Sequence, residues 1–169
     1  MFRKLLFVLV MAVVARPVFA TGETVPTPTI TGPVTGPGPM YPALQRVPAG
    51  TDLADFKYIV KEYFVSGTAS GKPYTTRILV RQPEDPKKFS GVVVAEAMHG
   101  SGNSWMFYFT RIYVMRHGHI SLEIDPQKQP TEDTVVKSNP QRYAPISLAD
   151  MAQANDILAQ VGGLVKANG

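Results

Sequence analysis

From residue 56 to 64 apolar and polar positions alternate, with Tyr58, Val60, Glu62 and Phe64 on one side of an extended chain and Lys57, Ile59, Lys61 and Tyr63 on the other. A period of two predicts a strand with one face wetter than the other. Residues 66–73, with Gly67 and Gly71, interrupt it, and residues 74–81 repeat it, which predicts an antiparallel hairpin at a sheet edge. After the turn-forming Pro83-Glu84-Asp85-Pro86 the pattern changes. Val92-Val93-Val94-Ala95 has no polar alternation, as expected of a central strand covered on both faces.

Residues 104–116 switch to helical spacing, with Trp105, Phe109, Ile112 and Met115 on one stripe and Gly118 suited to the position just past the helix end. Residues 119–124 predict a second short buried strand, and residues 125–145 read as a loop rich in Pro and polar groups. Ser147-Leu148-Ala149-Asp150 has the form of a capping box with Asp where Glu is usual. It opens a last helix with Met151, Ala154, Leu158, Val161 and Val165 on one face and a stop at Asn168-Gly169.

Strand, strand, strand, helix, strand, helix predicts an α/β fold: a mostly parallel sheet with helices on both faces and an antiparallel N-terminal edge. In a right-handed crossover the last helix should lead to another strand, so the expectation is an incomplete domain.

The first twenty residues follow another logic. Arg3 and Lys4 give a positive start, residues 5–15 are an unbroken apolar run, and Val18-Phe19-Ala20 offers small residues at a cleavage site. This predicts a signal peptide over 1–20, cut after Ala20, and a secreted or periplasmic protein. A membrane anchor is the alternative, but the run falls well short of the roughly 20 residues a spanning helix needs. No later stretch is long and apolar enough, so no membrane span is expected after cleavage. Residues 21–50, punctuated by Pro26, Pro28, Pro33, Pro37, Pro39, Pro42 and Pro48, predict an extended segment. Composition does not separate a tether from an arm lying on the surface. Residues 51–169 form the folded domain.

The formal charge of +4 changes once Arg3, Lys4 and Arg16 leave with the leader, since 14 basic residues then face 13 acidic ones. A nearly neutral chain gives no electrostatic case for nucleic acid. The absence of cysteine excludes a thiol nucleophile and thiolate metal ligands.

The densest chemistry is His99-Gly100-Ser101-Gly102-Asn103-Ser104, between a predicted strand and a predicted helix. Glycines there leave backbone N–H groups free to point at an anion, as an oxyanion hole requires. A Gly-rich turn with no ligand is the plainer alternative. Glu96, at the end of the preceding strand, is a candidate pocket base or a satisfied structural acid, and Trp105 a candidate pocket wall or core residue. His117 and His119 flank Gly118 and could join His99 at a metal, but neither spacing is diagnostic, and His117 reads more simply as a helix cap. The reading therefore calls for no metal and no cofactor. No G-x-S-x-G nucleophile elbow occurs; Ser70, Ser101 and Ser104 lack its setting.

Several ordered blocks resemble the family of predicted secreted α/β-hydrolase-domain proteins: Glu62-Tyr63-Phe64-Val65-Ser66-Gly67-Thr68-Ala69, Tyr74-Thr75-Thr76-Arg77-Ile78-Leu79-Val80-Arg81 with Pro83, and Phe89-Ser90-Gly91-Val92-Val93-Val94-Ala95-Glu96. The likeness continues through the loop from His99 to Trp105, Asn139-Pro140-Gln141-Arg142-Tyr143 and Asn155-Asp156-Ile157-Leu158-Ala159-Gln160-Val161-Gly162. It implies a partial α/β-hydrolase fold, with residues 51–169 as its N-terminal half. It also implies a serine-type carboxylic-ester hydrolase acting on a small-molecule ester or amide. The family's nucleophile, acid and histidine have no counterpart here, so no catalytic residue is carried over. Only His99, Gly100 and Ser101 match, as oxyanion-hole candidates: backbone donors at Gly100 and Ser101, with His99 shaping the loop. A non-catalytic exported binding module on the same half-sheet is the alternative. The sequence leaves the oligomeric state open.

Overall fold

In the computed structural model, which describes residues 25–168, five strands form one sheet in the order β1-β2-β3-β5-β4. They are β1 (Thr29–Thr31), β2 (Tyr58–Ala69), β3 (Lys72–Pro83), β4 (Val93–Ala97) and β5 (Ile120–Ile124). Helices α1 (Trp105–Arg116), the single turn α2 (Lys128–Pro130) and α3 (Ala154–Asn168) accompany them. The leader expected over residues 1–20, with its cut after Ala20, lies outside the described residues.

The alternating stretches do form a hairpin, and a longer one than expected: β2 and β3 pair from Tyr58↔Pro83 to Ala69↔Lys72. The interruption shrinks to Ser70 and Gly71, both at positive φ, a turn geometry whose twist suits paired strands. Ser70 is held there by Asp156, whose Oδ2 accepts from its N–H at 2.7 Å and from its Oγ at 3.2 Å. The hairpin is not the sheet edge. β1, from the Pro/Gly-rich segment, pairs antiparallel outside β2, and the rest of that segment lies on the domain as an arm, with Ala43 buried.

The sheet is mostly antiparallel, not mostly parallel: β1-β2, β2-β3 and β3-β5 are antiparallel, and β4-β5 alone is parallel among the described strands. A parallel pair needs a crossover, and β4-α1-β5 is the one strand-helix-strand unit described. Nor is β4 central. It ends the sheet order, half-buried or exposed along its length, whereas β5 is paired on both sides and almost wholly buried. An apolar run records what a strand is built to touch; its place in the sheet depends on distant partners.

Helices do cover both faces. The register puts Tyr58 and Val94 on the face under α1, where Phe107, Val114 and Met115 meet them. It puts Val65, Ile78 and Leu122 on the opposite face, where Ile157 and Val161 of α3 complete the largest apolar cluster. Burying each such side chain is worth about 1.5–3 kcal/mol.

The expected stripes are only partly right. In α1 the inward residues are Phe107, Arg111, Val114 and Met115, while Phe109 is 76% exposed. With Trp105, Met106, Phe107, Tyr108 and Phe109 in succession, apolar spacing alone does not select a face. In α3, Val161 is buried with Ile157 and Gln160, but Met151, expected on the same face, is exposed in the turn before the helix. The cap lies at Asp150, whose Oδ1 accepts from the Ala152 N–H at 2.9 Å and starts a 3-10 turn, Met151–Gln153, leading into α3. Ser147, the expected cap, instead bridges Thr75 as if extending the sheet. The presumed loop 125–145 contains α2 and a π-helical stretch, Thr131–Val136, and with Tyr143 buries Val135 against Phe64 and Met98.

Candidate functional site

The face under α1 carries buried charge. Glu62, Arg77, Glu123 and Asp125 are sealed from solvent, and Arg81 and Arg142 nearly so. Any of them alone would cost several kcal/mol, so the arrangement must pair them. Arg77 does most of this: its Nε reaches Asp125 Oδ2 at 2.6 Å, its Nη2 reaches Glu123 Oε1 at 2.6 Å and its Nη1 reaches Glu62 Oε1 at 3.3 Å. Arg142 Nε donates to Glu62 Oε2 at 2.7 Å and Tyr143 Oη to Glu62 Oε1 at 2.8 Å. Arg81 Nη2 meets Glu123 Oε2 at 3.5 Å, and Arg81 Nη1 is buried with no hydrogen-bond partner among the described residues.

Protonation follows from this burial. Desolvation pushes the Glu123 carboxyl up to about 8 against the pull of Arg77, and raises Asp125 as well. Desolvation also works against the charge on Arg77, but Asp125 and Glu123 outweigh it and hold that guanidinium firmly protonated. For Arg81 burial wins and the value falls.

The network anchors the segments around it. Arg142 donates to the arm's Gly38 and Val34 carbonyls at 3.0 and 2.9 Å, Arg77 Nη1 to that of Tyr41 at 2.8 Å, and Arg81 Nη2 to that of Pro42 at 3.1 Å. Arg81 Nη2 also donates to Ser104 Oγ at 2.9 Å, the last residue of the glycine-rich loop. Sequence alone missed this cluster. Arg77 and Arg81 stand in the alternation of residues 74–81 with nothing in that pattern to mark them for burial, and the one legible signal was Glu62 among apolar neighbours of the facing strand.

Residues 99–104 leave the C-terminal end of β4, beside the end of its parallel partner β5, where Met98 N–H donates to the Ile124 carbonyl at 2.8 Å. The loop closes on itself, with Gly102 N–H on the His99 carbonyl at 2.8 Å and His99 N–H on the Asn103 carbonyl at 3.1 Å. From outside, Tyr41 Oη donates to the Gly102 carbonyl at 2.9 Å, and the Ala43 carbonyl accepts from Ser104 N–H at 2.8 Å. Gly102 is obligatory: its φ is +79°, and a Cβ would stand 2.5 Å from Tyr41 Oη and 2.6 Å from Thr134 Cγ2.

Within the loop, His99 Nδ1 accepts from Ser101 N–H at 3.1 Å and lies 2.9 Å from Ser101 Oγ. Asn103 Nδ2 and Trp105 Nε1 donate to that Oγ at 3.2 and 3.0 Å. His99, Gly100 and Ser101 are exposed, and Gly100 N–H makes no hydrogen bond among the described residues.

A comparison with family models matches residues 26–169 to the alpha/beta hydrolase domain. The chain belongs to this family. No curated protein and no solved structure matches it.

Within this alpha/beta hydrolase domain the three oxyanion-hole candidates stand together at a strand end. Their backbone donors differ: Gly100 N–H is open, whereas Ser101 N–H is occupied by His99. The two pocket candidates serve the loop's surroundings. Glu96 accepts from Met106 and Phe107 N–H at 3.0 and 2.9 Å, capping α1 from the neighbouring strand, so its carboxylate is committed to structure. Trp105 stacks on Phe109 at 5.9 Å between ring centroids while its indole holds Ser101. His117 and His119 approach with ring centroids 5.6 Å apart, His117 capping α1 through Nδ1 on the Tyr113 carbonyl at 2.8 Å. Among the described residues no group of three His, Cys, Asp or Glu side chains could hold a metal ion.

Proposed function

We propose that this alpha/beta hydrolase domain is an exported serine-type carboxylic-ester hydrolase in which residues 99–101 supply the oxyanion side of the site. The nucleophile belongs to polypeptide beyond the described residues, seated against the edge of β4 that pairs with no other described strand. One observation carries the reading: an unpaired, exposed Gly100 N–H on a rigidly cross-braced loop at the C-terminal end of a parallel strand pair, in a domain of this family. Preorganised donors of this kind are worth about 2.7–4 kcal/mol each to an acyl-transfer transition state. The half-exposed β4, with Met106, Phe109 and Tyr113 bare on α1, supports further chain packing there. Export rests on the leader pattern of residues 1–20. The substrate is a small ester or amide.

The test compares the 169-residue chain with a polypeptide continued through the downstream coding sequence. The short chain should leave a p-nitrophenyl ester intact, and the continued one should cleave it at a rate abolished by a serine-directed phosphonate. Phosphonate-sensitive cleavage by the short chain, or none by the continued one, would overturn the reading. A non-catalytic exported binding module is favoured by one specific feature, the buried ion pairs that tie β2, β3 and the end of β5 to one another under α1, which suit a unit that folds by itself. Cooperative unfolding of the short chain together with an inactive continued chain would select it.

A further inference from the structure

We infer that the cavity between the arm and the β2-β3 hairpin binds a small monocarboxylate with an apolar body, its carboxylate taken by the buried guanidinium of Arg81 and its body by the half-buried side chains around it. The inference goes beyond the hydrolase reading and does not rest on it.

The strand register sets the place. Val60 and Arg81 are direct partners across β2 and β3, so their side chains share one face of the sheet, the face of Tyr58. Both line a cavity of about 390 Å³ whose other wall is the arm, a volume in the range of small-molecule sites. Leu44, Val47 and Leu53 join Val60 as half-buried apolar walls. Arg46 and Asp52 stand exposed with opposite charges, so the rim carries no net charge. Arg81, 1% exposed, is the one buried residue of the lining, which puts it at the inner end.

The charge at that inner end is incompletely answered. The hydrogen bonds of Arg81 all run from Nη2: to Ser104 Oγ at 2.9 Å, to the Pro42 carbonyl at 3.1 Å and to Glu123 Oε2 at 3.5 Å. Nη2 has two hydrogens for these acceptors, while Nη1 has two and meets none among the described residues. The contact with Glu123 is long for a charge-assisted bond, because that carboxylate is drawn to Arg77 at 2.6 Å through its other oxygen. The Phe107 ring, 4.7 Å from Arg81 Cζ, covers a flat face of the guanidinium and supplies no acceptor at its edge. A buried cationic nitrogen without an acceptor is costly, and an anion in the cavity removes that cost. Reaching Nη1 takes a rotamer change in the half-buried wall, as side chains commonly make on binding. One cation among apolar walls selects a single negative charge on an apolar body; a phosphate dianion would bring charge and oxygens that these walls leave unsatisfied.

The test is NMR on the full chain with its Leu and Val methyl groups and its arginine side chains isotope-labelled. Sodium hexanoate should shift the methyls of Leu44, Val47 and Val60 and the guanidinium signals of Arg81 together and saturably. Sodium acetate has the charge without the body, and hexanol the body without the charge. Each should bind at least about ten-fold more weakly, the size of a lost charge-assisted hydrogen bond or of a few methylenes left in water. Arg81→Met should bind hexanoate no better than hexanol. Should that variant unfold because Glu123 loses a partner, Leu44→Phe decides alone. It narrows the cavity from the arm and touches no charge, so it should lose the hexanoate response with its fold intact by circular dichroism. Hexanoate shifts that do not saturate, that acetate or hexanol matches, or that persist unchanged in Leu44→Phe would sink the inference.

Discussion

At the scale of single residues, Gly102 shows how a loop of small polar residues becomes rigid. Its carbonyl is held by Tyr41, its N–H by His99, and the place of a side chain is already filled by Tyr41 and Thr134. Gly102→Ala therefore meets both a steric and a conformational penalty, the latter alone of order 1–3 kcal/mol for a non-glycine held at positive φ. Urea denaturation should show a loss of at least that size, and the His99-Ser101 hydrogen-bond pattern should loosen. A variant as stable as the parent would mean that the arm and residue 134 move aside without cost. The glycines themselves were legible in the sequence, because a cluster of them between strand and helix advertises unusual backbone. Which one is obligatory was not, since that depends on Tyr41 and Thr134, 61 and 32 positions away in sequence.

Among the elements, α1 is held by its neighbours more than by its own ends. Ser104 makes no side-chain cap, and Glu96 at the end of β4 accepts two of the first-turn N–H groups instead. A negative charge at a helix N-terminus also meets the positive end of the helix dipole. Glu96→Ala should cost about 1 kcal/mol, at the level of other lost caps. Glu96→Gln should recover part of it, because an amide oxygen still accepts. Both follow from chemical denaturation midpoints; equal stability of all three proteins would refute the cap. The sequence placed Glu96 correctly at the strand end and allowed it to be a base or a structural acid. In the structure both of its oxygens accept from backbone amides of α1.

Across the whole molecule, the buried ion cluster joins β2, β3, β5, the arm and the segment around Arg142. Its protonation should register in stability. Glu123 has an ordinary value of 4.5 and is pushed up to about 8 in the fold. Between those limits the folded protein keeps a proton that the unfolded chain has released, so rising pH favours unfolding across that window. Asp125, raised by the same burial, acts in the same direction. Glu123→Gln removes the Glu123 part, so the variant's melting temperature relative to the parent should improve as pH rises from about 4.5 to about 8. A difference that stays constant with pH would show that Glu123 is already ionised when folded.

What the sequence determined by itself is local: the hairpin, a helix between two short strands, a capped last helix and a glycine-rich turn before α1. Each rests on periodicity or on the backbone freedom of single residues, and these survive translation into structure with shifted ends. The tertiary structure alone decided that β5 lies inside the sheet and β4 at its edge, that β1 comes from the Pro/Gly-rich arm, and that Arg77 and Arg81 point into the protein with Glu62, Glu123 and Asp125 around them. These are pairings between residues distant along the chain. A charged residue on an alternating strand reads as solvent-facing until the partners that make its burial affordable are brought beside it by folding.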